Sequence, residues 1–150
     1  MFRAVKLQTR PTVLVVGAGH AGLEAAFAAA RVGADVLVVT GSLATVGQTP
    51  CNPSIGGVAK GHLVREIHAL GGFMGRAGDA TAVHGRVLNR SKGPAVWSTR
   101  LQVDKARYGE FARHALAHAP HVRSLEGLVA RVVVEGGRVH QHSLHFVRTG

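Results

Sequence analysis

Gly17-Ala-Gly-His-Ala-Gly22 carries glycines at the spacing of a turn that can cradle a pyrophosphate. Each glycine has its own physical task. Gly17 permits a tight turn out of a strand, Gly19 leaves no Cβ in the path of a phosphate, and Gly22 lets a helix lie close on the strand. The free N–H groups and partial positive charge of a helix N-terminus then face the anion. Ala18, His20 and Ala21 complete this candidate cofactor-binding loop, His20 through its backbone N–H rather than its ring. The acid that would bond a ribose, expected about 20 residues on, is missing. Thr40 stands there, and its hydroxyl bonds a ribose less strongly than a carboxylate. No Arg follows directly to take a 2′-phosphate, so these residues alone leave FAD and a nicotinamide dinucleotide open. Glu24 reads as a favourable charge in the first turn of the helix rather than as a catalytic group.

Two further segments concentrate chemistry. Residues 48–62 bring together the thiol of Cys51, the amides of Gln48 and Asn52, a hydroxyl, several glycines, Lys60 and His62. Residues 89–97 run from Asn89 through Arg90 and Lys92 to Trp97. Long polar loops rich in glycine are often functional.

Positioning these residues takes alternating strands and helices. Residues 12–16 form a continuous β-branched run, as expected of a strand buried on both faces. Residues 23–31 are rich in Ala and read as a helix, capped by Gly33, and 35–39 read as a second buried strand. Together 12–39 have the length of one βαβ unit. Residues 40–57 read as a loop, and 58–70 as a helix ended by Gly71-Gly72. A glycine-bearing connection then leads to a strand at 82–88. The spacing of Leu101, Tyr108, Phe111, Ala115 and Leu116 predicts one long amphipathic helix over 98–118. Residues 122–125 and 128–135 read as strands, Gly136-Gly137 as a hairpin turn, and 138–147 as the return strand.

Composition bounds the rest. With 150 residues, 46% of them apolar, the chain can build one packed domain and hardly two. Its 18 Lys and Arg against 8 Asp and Glu give a net charge of +10, which suggests an anionic partner, although the cations are scattered. One cysteine excludes an internal disulfide framework and a Cys-rich zinc module. His114 and His118 share a helix face but lack a third ligand, so no metal is expected. No apolar run approaches the roughly 18–20 residues that span a bilayer, and the N-terminus lacks a signal-peptide core. The expectation is a soluble cytoplasmic chain without membrane attachment.

The sequence resembles the MnmG (GidA) family of FAD-dependent enzymes that modify the tRNA wobble uridine. The resemblance runs through Gly17-Ala-Gly-His-Ala-Gly-Leu-Glu-Ala25, Gly47-Gln48, Cys51-Asn-Pro-Ser-Ile-Gly-Gly57, Lys60-Gly-His-Leu-Val-Arg-Glu66 and Ala69-Leu-Gly-Gly72. It continues through Arg86-Val-Leu-Asn89, Ser91-Lys-Gly-Pro-Ala-Val96, Thr99-Arg100, Gln102, Asp104 and Tyr108. It implies an α/β, Rossmann-like FAD-binding domain, N-terminal and incomplete, with a β-hairpin toward the C-terminus. It implies FAD rather than NAD in the glycine turn, a threonine tolerated at Thr40, and a flavin contact from Val129.

The implied activity joins a one-carbon unit from methylenetetrahydrofolate, with glycine or ammonia, to C5 of the wobble uridine. NADH is the reductant, at a site absent from this chain. The implied partners are tRNA, the GTPase MnmE and a second copy of the full-length enzyme. Cys51 is then a candidate catalytic nucleophile or acid, since a thiolate can attack C6 of a uridine. An inert thiol is the alternative. Asn52, Lys60, Lys92 and Arg100 are candidate substrate or flavin contacts, Arg65 a further phosphate contact, and Trp97 a base-stacking or packing residue. The expected organisation is an extension at 1–11, a partial FAD domain at 12–139, and a departure from the family pattern at 140–150, as a frameshift or truncation would leave. A non-catalytic nucleotide-binding fragment and a small FAD- or NAD-linked oxidoreductase unrelated to RNA stay open as alternatives.

Overall fold

The computed structural model describes residues 11–49, 52–58, 60–136 and 138–147. In chain order it contains β1 (Val13–Val16), α1 (His20–Arg31), β2 (Val36–Thr40), β3 (Ser54–Gly56), α2 (Lys60–Ala69) and α3 (Phe73–Thr81). There follow β4 (Ala82–Leu88), β5 (Ser98–Val103), α4 (Lys105–Ala117), β6 (Val122–Glu126), β7 (Leu128–Glu135) and β8 (Arg138–Val147). These group into two units, one of residues up to Val46 and from Leu116 onward, the other of Gly47–Ala115.

The first unit is built on a parallel sheet of order β1-β2-β6. β2 is the middle strand, so Val36, Leu37, Val38 and Val39 are all buried. That is why its sequence is continuously apolar rather than alternating. α1 packs on the sheet through Leu23, Ala26 and Phe27, which recur at helical spacing and are buried. Burying each of the two larger side chains contributes roughly 1.5–3 kcal/mol. The β7–β8 hairpin is antiparallel and pairs Leu128 with Val147 at its open end and Glu135 with Arg138 near its turn. β8 continues through His140, the position at which the family pattern was expected to break off. Gly136 takes a φ of 57°, as the hairpin turn requires.

The second unit holds an antiparallel sheet of order β3-β5-β4. Ile55 pairs with Leu101, and Leu101 with Gly85, across the three strands. Phe73, at the start of α3, meets Tyr108 of α4 edge-on at 6.3 Å and Phe111 at 5.8 Å between ring centroids. Phe73 and Tyr108 are fully buried.

Three sequence expectations are corrected here. The connection before β4 is a helix, α3, with Phe73, Ala77, Gly78 and Thr81 turned inward. Gly75 and Gly78 mask that period, because glycine is a poor helix former. A Cβ on Gly75 would lie 2.7 Å from His68 Nδ1, so a larger residue there would displace the His68 side chain. Second, 98–103 is the central strand β5, and the helix starts only at Lys105. Asp104 sets that start: its Oδ1 accepts from the N–H groups of Ala106 at 2.9 Å and Arg107 at 3.0 Å. Leu101 fits a helical and a strand period equally, so spacing alone could not separate them. Third, the long loop at 40–57 contains a 3₁₀ turn, Leu43–Thr45, and the short strand β3.

Candidate functional site

The glycine turn follows β1 directly. The Gly17 N–H donates to the Val39 carbonyl at 2.7 Å, tying the turn to the middle strand, and Gly17 takes a φ of 95°. α1 starts three residues earlier than its alanine run suggested, with Gly19 at its N-cap and no side chain capping it. The Leu23 N–H closes the first helical turn on the Gly19 carbonyl at 2.9 Å. A Cβ on Gly22 would run into the Gly17 carbonyl, with the carbonyl carbon at 3.0 Å. A Cβ on Gly19 would meet nothing within 4 Å. The two glycines therefore do different things: Gly22 allows close packing, and Gly19 faces open space at an uncapped helix N-terminus.

That arrangement fits the pyrophosphate of a dinucleotide, which needs main-chain donors, a positive helix end and room for its oxygens. No acidic residue sits in the first turn of α1. Glu24, expected in that turn, lies beyond it because the helix begins at His20. Burial pushes the His20 imidazole below its ordinary value of 6.5, and the nearby Glu24 carboxylate partly opposes this. His20 is thus biased toward its neutral form.

Thr40 ends β2, where its carbonyl accepts from Gly127 N–H at 2.8 Å. It lies opposite Glu126, the last residue of β6. The Glu126 carboxylate accepts from the Leu43 N–H at 2.7 Å and so anchors the turn after β2. Sequence reasoning looked for an acid only at the end of β2 and missed this one on the neighbouring strand. Its signal was a glutamate at the end of a parallel strand, immediately before Gly127. Val129 is partly buried, packed with Leu14 and Leu125 against Leu37 and Val39.

In the second unit, Asn52, Ser54, His84, Arg86, Arg100 and Gln102 line a cavity of about 360 Å³. Arg100 Nη2 donates to Ser54 Oγ at 3.2 Å. Asn52 and Arg100 were expected as functional, and the structure brings them together. Lys60, at the start of α2, and Lys92, in the turn Arg90–Lys92, are exposed and are not among the residues lining this cavity. Ser54, His84, Arg86 and Gln102 were missed. Their signal was the alternation His84/Arg86 and Arg100/Gln102, which the helical reading of 98–103 hid. Cys51 lies outside the described residues.

The other candidates have structural partners. Arg65 Nη2 donates to Thr99 Oγ1 at 2.9 Å. In the 89–97 segment, Asn89 adopts a left-handed φ of 62° and its Nδ2 donates to the Val96 carbonyl at 3.1 Å. Trp97 Nε1 donates to the Arg90 carbonyl at 3.3 Å, while the residue stays 44% exposed. Trp97 thus helps close this loop and still offers a ring face. Among the described residues, no group of three or more His, Cys, Asp and Glu is placed to hold a metal, and no helix is long and apolar enough to cross a membrane.

A parallel sheet whose first strand runs through a glycine turn into a helix defines a Rossmann-like α/β protein. Comparison with known proteins narrows this. The family model for glucose inhibited division protein A (GidA) matches residues 12–148, and the chain belongs to that family. It is 54% identical over 127 residues to the tRNA uridine 5-carboxymethylaminomethyl modification enzyme MnmG of Caldicellulosiruptor saccharolyticus, covering 85% of this chain and 20% of that protein. The MnmG of Thermus thermophilus is 58% identical over 127 residues, with 85% and 21% covered. The solved structure of Aquifex aeolicus GidA superposes with a TM-score of 0.84 at 45% identity, over 86% of this chain and 21% of that one. The chain therefore spans about one fifth of the length of these relatives, and corresponds to their N-terminal portion.

Proposed function

We propose that this chain is the FAD-binding N-terminal part of an MnmG-like enzyme that adds a carboxymethylaminomethyl group to C5 of the tRNA wobble uridine. The observation that carries the reading is the turn at Gly17, Gly19 and Gly22, open above Gly19 and uncapped at the start of α1. The names of the relatives supply the reaction class.

In this reading residues 12–139 are a partial FAD-binding domain. The main-chain N–H groups of the 17–22 turn hold the pyrophosphate, and Gly19 admits it. Ala18, His20 and Ala21 contribute backbone, with His20 neutral and its ring aside from the anion. Thr40 bonds the ribose, and Val129 contacts the cofactor. FAD supplies two-electron redox capacity when bound. Asn52, Lys60, Lys92 and Arg100 hold substrate or flavin, and Cys51 is the nucleophile or acid toward the uridine. tRNA is the substrate, and MnmE and, for the full-length enzyme, a second copy of itself are the partners.

Titration of the purified chain with FAD, read by flavin fluorescence, tests the cofactor assignment. Saturable quenching that ADP reverses is expected, because ADP carries the same pyrophosphate. Equal affinity for NAD, or no competition by ADP, would contradict it.

A further inference from the structure

The polar face of the β3-β5-β4 sheet has a feature that its fold does not require. Arg86 on β4 and Arg100 on β5 are direct cross-strand partners. Directly opposed side chains in an antiparallel pair have Cβ atoms about 4.5–5.5 Å apart, and like charges in that position destabilise a sheet. Next along the same face, Ser54, Gln102 and His84 stand opposite one another across all three strands. Among the described residues lining the cavity above them, none is acidic. The other face of this sheet carries Ile55 and Leu101, which line a separate cavity with residues of α2 and α3.

We propose that this face is an oxyanion-binding site, with Arg86 and Arg100 clamping a phosphate or carboxylate group. Two guanidinium groups side by side present forked N–H donors that match such an anion and remove the repulsion between them. The Ser54 hydroxyl already engages Arg100 at 3.2 Å and fixes its position. Asn52 and Gln102 add neutral amides able to donate to the anion or to the group that carries it. A volume of about 360 Å³ is within the range of small-ligand sites. A local rule broken with no acidic partner among the described residues lining the cavity is what functional sites show. The site stands on one sheet and does not depend on flavin at the glycine turn.

The test uses the purified chain with inorganic phosphate and with a short oligouridylate as probes, in wild type, Arg86→Gln, Arg100→Gln and the double variant. The wild type is expected to bind at least one probe, and each single variant to weaken it about tenfold, the size of one good charged contact. For the oligouridylate, the slope of log K against log salt should shrink by about 0.7 for each phosphate contact removed. Competition by inorganic phosphate assigns a small oxyanion, whereas oligouridylate binding that phosphate does not displace assigns an RNA phosphodiester. Either supports the site. The thermal midpoint of Arg86→Gln should stay level or rise, because an opposed charge is gone, and a fall would mark the arginine as structural and overturn the proposal. Undiminished binding in the double variant, or no binding of either probe by the wild type, would also overturn it. FAD titration of Arg86→Gln reads the glycine turn separately, so failure of one assignment is distinguishable from failure of the other.

Discussion

The two units of this chain put polar chemistry on a surface in opposite ways. In the first, a parallel sheet whose middle strand buries Val36 to Val39 leaves few side chains beyond Thr40 for the purpose, and most of the chemistry falls to the backbone at the end of β1. Gly17, Gly19 and Gly22 matter for the atoms they lack. In the second, an antiparallel sheet alternates its faces, and one face is free to carry His84, Arg86, Arg100 and Gln102. The difference teaches where each kind of site can be broken. A backbone site fails when a Cβ is added, whereas a side-chain site fails when a charge is removed.

The largest expected effect separates the cores of the two units. Phe73→Ala removes the ring that meets both Tyr108 and Phe111 in the second unit. It should cost about 3–5 kcal/mol in chemical denaturation, in the range of buried aromatic truncations. Trp97 fluorescence reports the second unit and far-UV circular dichroism both; coincident transitions that shift together would show that the two units unfold together, and a split would show that they do not.

A smaller effect sharpens the second unit alone. Asp104→Ala removes the acceptor for two N–H groups at the start of α4 and should cost about 1 kcal/mol. Hydrogen exchange should quicken at Ala106 and Arg107 while the glycine turn is unaffected. Unchanged exchange there would mean that the cap contributes nothing.

The smallest effect belongs to the glycine turn. Burial lowers the His20 pKa from 6.5, so the unfolded chain takes up this proton first as pH falls. Folding stability is therefore free of this penalty above about pH 6.5 and declines below it, toward the lower folded value. The difference between wild type and His20→Gln, from denaturation at about pH 7.5 and about pH 5.5, isolates the effect from the other histidines. A wild-type loss that the variant reproduces in full would assign the titration elsewhere.

The same contrast explains what was legible in the sequence. The glycine turn spans six consecutive residues, and β2 announces its burial by four apolar residues in a row. Both are local, so both could be read. The pairing of Arg86 with Arg100 joins residues on different strands, and no spacing rule connects them until β4 and β5 are in register. Glu126 was missed for the same reason, since it meets Leu43 only because β6 lies beside β2. α3 was hidden by Gly75 and Gly78, whose low helix propensity is overridden by packing against α2 and the sheet.

The most direct test of the central claim is FAD affinity in Gly19→Val against the wild type. A Cβ at Gly19 would meet nothing within 4 Å, and its φ of −75° suits any residue, so the fold should persist. Loss of FAD binding by at least about tenfold, with the thermal midpoint unchanged, is the predicted result, since the new side chain would occupy the space meant for the pyrophosphate. FAD binding that survives Gly19→Val undiminished would show that the dinucleotide is held somewhere other than the turn between β1 and α1.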